Sequence, residues 1–199
     1  MQTTEDRLKK QVQFILEIDK LKKIVRQSLL SDRSRKENDA EHSWHIALMA
    51  VLLCEHADKK GIDLKHVVTM LLVHDLVEID AGDTFCYDEK GNVDKLEREI
   101  KAADRIFNLL PPDQAAYFRS LWDEFESRQT AEARFAAAMD RLEPLLLNYH
   151  TDGGTWKEHG VKKKQVVSRN QPIEKGSATL WEYASQLIED AVAKGYMRE

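Results

Sequence analysis

Apolar residues recur at threes and fours along almost the whole chain. Leu8, Val12, Ile15, Leu16, Leu21, Ile24 and Val25 set that rhythm first and predict a helix over residues 5–30. A polar stretch, "SDRSRKENDAEH", follows it. Asn38 and Glu41 have the spacing of a capping box, so a second helix opens there and runs to about residue 59, before Gly61. Asp63 caps a third over 64–79. "AGDTFCYDEKGN" reads as a loop. A fourth helix covers 93–110 and stops at Pro111-Pro112, a fifth covers 113–127, and a sixth, capped by Thr130, runs to 150. Residues 151–177 read as mostly loop with a short helix at 163–169, and a last helix covers 178–194. Trp181 and Tyr183 are expected in its core.

Alternation of the strand kind is scarce, and there are only 8 Gly and 4 Pro. The expectation is one all-α domain over 1–199, a helical bundle with its core at about 21–150 and the segment 151–199 packed on it.

Three places break the apolar pattern with charge. The third helix carries His74, Asp75 and Glu78 in "LLVHDLVEIDAGDT", with no Lys or Arg beside them. A helix advances about 100° per residue, so with His74 at 0°, Glu78 falls near 40° and Asp75 near 100°. The remaining faces are apolar, so this arc points at an interior polar site. His42 lies in "EHSWHIALMAVLL", whose continuation is core-like. Asp140 lies in "FAAAMDRLEPLLL", about 100° from the stripe of Arg134, Arg141 and Asn148, and thus on the apolar side of its helix. Pro144 cannot donate an N–H to the Asp140 carbonyl.

Unpaired buried charge is unfavourable. Two imidazoles and two carboxylates from three buried helices, His42, His74, Asp75 and Asp140, can offset it by holding one divalent transition metal. Nitrogen and oxygen donors without sulfur suit Co, Mn, Fe, Ni or Zn.

Composition narrows the partners. The net charge is −5 over 199 residues, and Lys162-Lys163-Lys164 is the only triple-basic run. That speaks against a nucleic-acid polymer and for a small ligand or a protein partner. Cys54 and Cys86 do not form a CxxC pair, so neither a disulfide framework nor a thiolate metal site is expected. There is no signal-peptide core and no membrane-length apolar run, so a cytoplasmic location is expected.

The blocks "RKENDAEHSWHIALMA", "LLVHDLVEIDAGDT" and "AMDRLEPLLLNY" resemble those of HD-domain metal-dependent phosphohydrolases, and more narrowly their 5′-deoxynucleotidase branch. The similarity runs from about Leu21 to the last helix. It implies that His42, His74, Asp75 and Asp140 are the metal ligands. It also implies that Glu78 and Asp83 serve the chemistry and substrate placement, with Thr84 beside them. Glu78 has an alternative role, orienting His74.

Bacterial members carry an Arg-Trp pair before the first His that contacts phosphate and sugar. Here Arg26-Gln27 stands in that place, so Arg26 is a phosphate candidate and the Trp is missing. Arg35, in "RKEN", is a second phosphate candidate. Trp156, in the Gly-rich "GGTWKEHG", either closes over a base or fastens its loop.

The resemblance implies hydrolysis of the 5′-phosphate of (deoxy)nucleoside monophosphates by a homodimer. The alternatives are another phosphate ester, a cyclic nucleotide or a nucleoside triphosphate, or a metal-stabilised binding module without turnover. No His lies between Asp75 and Asp140, which favours one metal over two.

Overall fold

The computed structural model describes residues 3–199, and helices dominate it. Helix α1 (Thr4–Ile18) is capped by Thr3, whose side chain accepts the Asp6 N–H. The helix expected to continue to residue 30 ends at Ile18. A 3-10 turn (Asp19–Lys23) leads into strand β1 (Val25–Leu29), which pairs antiparallel with β2 (Lys36–Asn38). The reason is local chemistry that periodicity does not register. Ile24 and Val25 are β-branched and favour extended backbone. Asp32 Oδ1 accepts both the Ser34 N–H and its hydroxyl, Arg33 takes φ 65°, and the Leu30 N–H donates to the Arg35 carbonyl to close the hairpin.

Helix α2 (Asp39–Leu53) begins with the expected capping box, Asn38 and Glu41 bonded reciprocally. It gives way to a 3-10 turn at Cys54–His56, short of residue 59. Helix α3 (Leu64–Val73) is capped by Asp63. It then tightens into a 3-10 turn (His74–Val77) before the short α4 (Glu78–Ala81). After the expected loop come α5 (Lys95–Phe107), α6 (Pro112–Ser127) and α7 (Ala131–His150), the last capped by Thr130. The segment read as mostly loop carries α8 (Gly154–Glu158), α9 (Lys163–Asn170) and a 3-10 turn (Gln171–Lys175) before α10 (Ala178–Ala193).

Helix α7 is the central element. Its Phe135, Ala136, Met139 and Leu142 are buried among α2, α3 and the C-terminal helices, which add Val166, Ile173, Leu180, Ala184 and Ile188 to the same core. Tyr183 lies off the Leu180–Ala184–Ile188 stripe and is exposed, contrary to expectation. A second core joins Phe14 and Leu21 to Ile106, Phe107, Leu121 and Trp122. The chain crosses from one core to the other at the end of α3: Met70 and Leu71 belong to the first, Val73 and Leu76 to the second. The His74–Val77 turn sits on that seam. Among the described residues, no helix is long and apolar enough to cross a membrane.

Gly153 sets the start of α8. Its φ is +85°, and a Cβ there would lie 2.1 Å from the Tyr196 carbonyl oxygen. Gly153→Ala combines left-handed strain with that backbone clash. It should lower stability by at least about 2 kcal/mol, read as a lower denaturant midpoint at unchanged m-value.

Candidate metal centre

The tightening at the end of α3 determines which side chains meet. A 3-10 turn has about three residues per turn, so residues i and i+3 eclipse. Asp75 and Glu78 therefore share a face. Asp39, Asp75 and Glu78 form one close group, and His42, His74 and Asp75 form another, each with its ligand atoms within 4.8 Å of one another. The α-helical wheel had instead put His74 nearest Glu78, and the 3-10 geometry corrects that.

Both imidazoles are held from behind. His74 Nδ1 donates to the Leu71 carbonyl at 2.8 Å, and His42 Nδ1 lies 3.2 Å from Glu143 Oε2. Each ring thus turns Nε2 inward. His42 Nε2 is 3.4 Å from Asp140 Oδ1 and 3.9 Å from Asp75 Oδ2. His74 Nε2 is 3.0 Å from Asp75 Oδ1 and 3.9 Å from Asp140 Oδ1. Among the described residues both Nε2 atoms are buried without a hydrogen-bond partner.

Strand β1 brings Arg26 to the same point. Its Nη1 donates to Asp75 Oδ2 at 3.0 Å and to Asp39 Oδ1 at 3.3 Å. At Gly82 the backbone turns with φ +74° after α4, and Asp83 and Thr84 follow along the wall of a cavity that also exposes His74, Asp75, Glu78 and Asp140. Thr84 Oγ1 accepts from Arg98, leaving its hydroxyl hydrogen to donate.

The sequence profile of the HD domain matches residues 18–181. The chain belongs to the HD domain family. Among curated HD domain relatives, the human protein named 5′-deoxynucleotidase HDDC2 is 31% identical over 68% of this chain and 65% of its own length. The bovine protein of the same name is also 31% identical, over 68% of this chain and 64% of its own. This chain thus spans a little under two thirds of the length of those relatives. The crystal structure of a "Predicted metal-dependent phosphohydrolase" from Magnetospirillum magnetotacticum MS-1 matches all of both chains, with 56% identity and a TM-score of 0.94.

The electrostatics of this HD domain site fit a cation. Burial, and then the charges of Asp75 and Asp39, hold the Glu78 carboxyl well above the usual range. Burial and Asp75 likewise push Asp39 up to about 6. Burial also favours a protonated Asp75, but His74 and then Arg26 outweigh it and hold that carboxyl low. Burial would lower the His42 imidazole, and Arg26 adds to that, yet the neighbouring carboxylates of Asp140 and Glu143 raise it to about 10. Arg26 and the imidazoles are too few cations for these acids. A divalent ion would be the largest local charge and would reverse the field at each of them. His42, His74, Asp75 and Asp140 are placed to hold it, and the two bare Nε2 atoms supply the strongest sign.

Sequence reasoning missed the layer behind these groups. Glu143, on α7, accepts from both His42 and His45. Its neighbour Glu37 is pushed up to about 8, first by burial and then by the Glu143 charge. Glu143 was passed over because its helix face gave no separate signal. Arg141 and Asn148, read as a polar stripe, are buried against the cavity, and Arg169 on α9 lies 3.7 Å from Asp140. Trp156 is buried in the core and fixes α8 there, which is the fastening alternative, and it also lines the cavity. Arg35 is not brought to the site. It projects from the hairpin and forms an exposed two-pronged pair with Glu41 at 2.8 and 2.6 Å.

Glutamine in place of Glu143 has no charge and one acceptor oxygen where two imidazoles each use one, so the hold on the His42 ring loosens. Glu143→Gln should weaken metal affinity roughly 10–100-fold while the folded state persists, measured by competition with a chromophoric chelator and by circular dichroism.

Proposed function

We propose that this HD domain protein is a metal-dependent phosphohydrolase that removes the 5′-phosphate of nucleoside monophosphates, with a preference for deoxynucleotides. The observation that carries the reading is the pair of buried, unpartnered Nε2 atoms facing Asp75 and Asp140, with Glu78 one turn on. The names of the human and bovine relatives and of the Magnetospirillum protein support it.

A divalent metal (Co, Mn, Fe, Ni or Zn) would supply Lewis acidity, lowering the pKa of nearby water and drawing charge from a phosphoryl oxygen. The chain's own residues do the rest. Arg26, held by Asp75 and Asp39, presents a guanidinium to the remaining phosphate charge. Glu78 takes the proton of the attacking water as its oxygen bonds to phosphorus. Asp83, on the cavity wall after Gly82, gives a proton to the departing 5′-oxygen as the P–O bond breaks. Thr84 offers its hydroxyl to the substrate beside it. Gln27 stands on the cavity wall where the bacterial relatives' Trp would be, its side chain bonded to Lys36 at 2.6 Å.

The homodimer implied by the family has an apolar surface to use: Leu8, Val12, Ile15 and Leu16 are exposed along α1. A cytoplasmic setting agrees with this soluble-substrate chemistry.

Two measurements test the reading. Metal-stripped protein re-supplied with Co, Mn, Mg or Zn should release phosphate from deoxynucleoside monophosphates faster than from ribonucleotides, and release none without metal. Phosphate release with no metal dependence would overturn it. Glu78→Gln should lower kcat roughly 10²–10⁴-fold with metal still bound by elemental analysis. Full activity in that variant would rule out the assigned mechanism.

A further inference from the structure

Besides the acidic cluster around Asp75, three guanidinium groups line the same cavity: Arg128 just past the end of α6, Arg141 on α7 and Arg169 on α9.

Arg141 is 6% exposed, and among the described residues it forms no ion pair within 4.0 Å. Its Nε has no partner, and its Nη1 makes a long 3.3 Å bond to the Arg169 carbonyl. The Arg128 Nε is likewise buried and unpartnered, and Arg128 also forms no ion pair among the described residues. Its φ is 52°, a left-handed conformation that a non-glycine side chain adopts at some strain. Arg169 has a single acid within reach, Asp140 at 3.7 Å, and that carboxylate already faces both imidazoles.

Arg141 is buried, and Arg128 and Arg169 stand half-buried near it. A buried guanidinium without a counter-charge is unfavourable, so a chain that adds two more beside it leaves a place for an anion. The fork of a guanidinium matches phosphate oxygens two at a time. A nucleobase carbonyl would satisfy one fork and offset none of the charge. In the reading above, the hydrolysed phosphate already has Arg26 and the candidate metal ligands.

We propose that Arg128, Arg141 and Arg169 form a second phosphate subsite, and that the favoured substrate is a nucleotide carrying a second phosphate group beyond the one removed. The choice of substrate rests on the phosphohydrolase reading above; the subsite itself rests on the three side chains.

The test compares metal-loaded wild type with Arg128→Asn and Arg141→Met. Asn tolerates the left-handed backbone at 128, so that variant keeps the fold if Arg141→Met does not. Substrates are deoxyadenosine 5′-monophosphate, its 5′-diphosphate and its 3′,5′-bisphosphate. Wild type should favour one of the two-phosphate nucleotides over the monophosphate by at least about tenfold in kcat/KM, and Arg128→Asn should erase most of that ratio.

Calorimetric binding of the same three nucleotides to metal-loaded Glu78→Gln, with and without Arg128→Asn, reads the preference without turnover. If no nucleotide is hydrolysed but the binding preference exists and depends on Arg128, the activity assignment fails and the subsite stands. If monophosphate is hydrolysed and neither ratio responds to Arg128 or Arg141, the subsite is overturned. If the variants weaken binding of inorganic phosphate alone and leave the nucleotide ratios unchanged, the site takes free phosphate and the substrate assignment is overturned.

Discussion

Repulsion among buried carboxylates governs this molecule. Asp39, Asp75, Glu78 and Asp140 come from α2, the 3-10 turn, α4 and α7, and each element is fixed by apolar packing on its other faces. The packing leaves these acids no room to separate. The structure answers the repulsion with Arg26, with two imidazoles and with raised pKa values at Glu78 and Asp39. Each response is partial, and their shared shortfall is positive charge at the point the imidazole nitrogens face. Side-chain tautomers and hydrogen-bond directions at the site follow from where that charge must sit.

The hierarchy behind the site is ordered from the outside in. Glu37 keeps its proton to about pH 8 and lies against Glu143; Glu143 is ionised and fixes His42 and His45; His42 then shows one bare nitrogen to the cluster. Burial alone would favour a neutral Glu143. The bonds from the two imidazoles outweigh that, so the carboxylate stays an acceptor and its hold on the ring has one direction.

Much of this was legible in the sequence, and the limits have physical causes. Caps at Asn38, Asp63 and Thr130 are local, one side chain to one nearby N–H, and the sequence shows them directly. The candidate ligands stood out because ionisable groups on apolar helices are rare without a counter-charge. The hairpin at Val25–Asn38 stayed hidden because Leu21, Ile24 and Val25 fit a helical period as well as a strand. The 3-10 turn at His74–Val77 stayed hidden because nothing in "HDLV" distinguishes a three-residue turn from a wider one. Arg141 and Arg169 look like ordinary solvent-facing charges in the chain. Only the docking of α9 beside α7 buries the one and brings the other to Asp140, and tertiary packing of that kind leaves no periodic trace.

The walls of the cavity are widely spaced along the chain, from Arg26 on β1 to Arg169 on α9. A ribosome delivers them in that order. Every acid of the cluster has emerged by Glu143, while Trp156 and Arg169 are still to come. Without the C-terminal helices the wall that Trp156 and Arg169 form is missing, and a more open cluster repels itself less. Part of the desolvation of these acids thus depends on the last segment of the chain to be made.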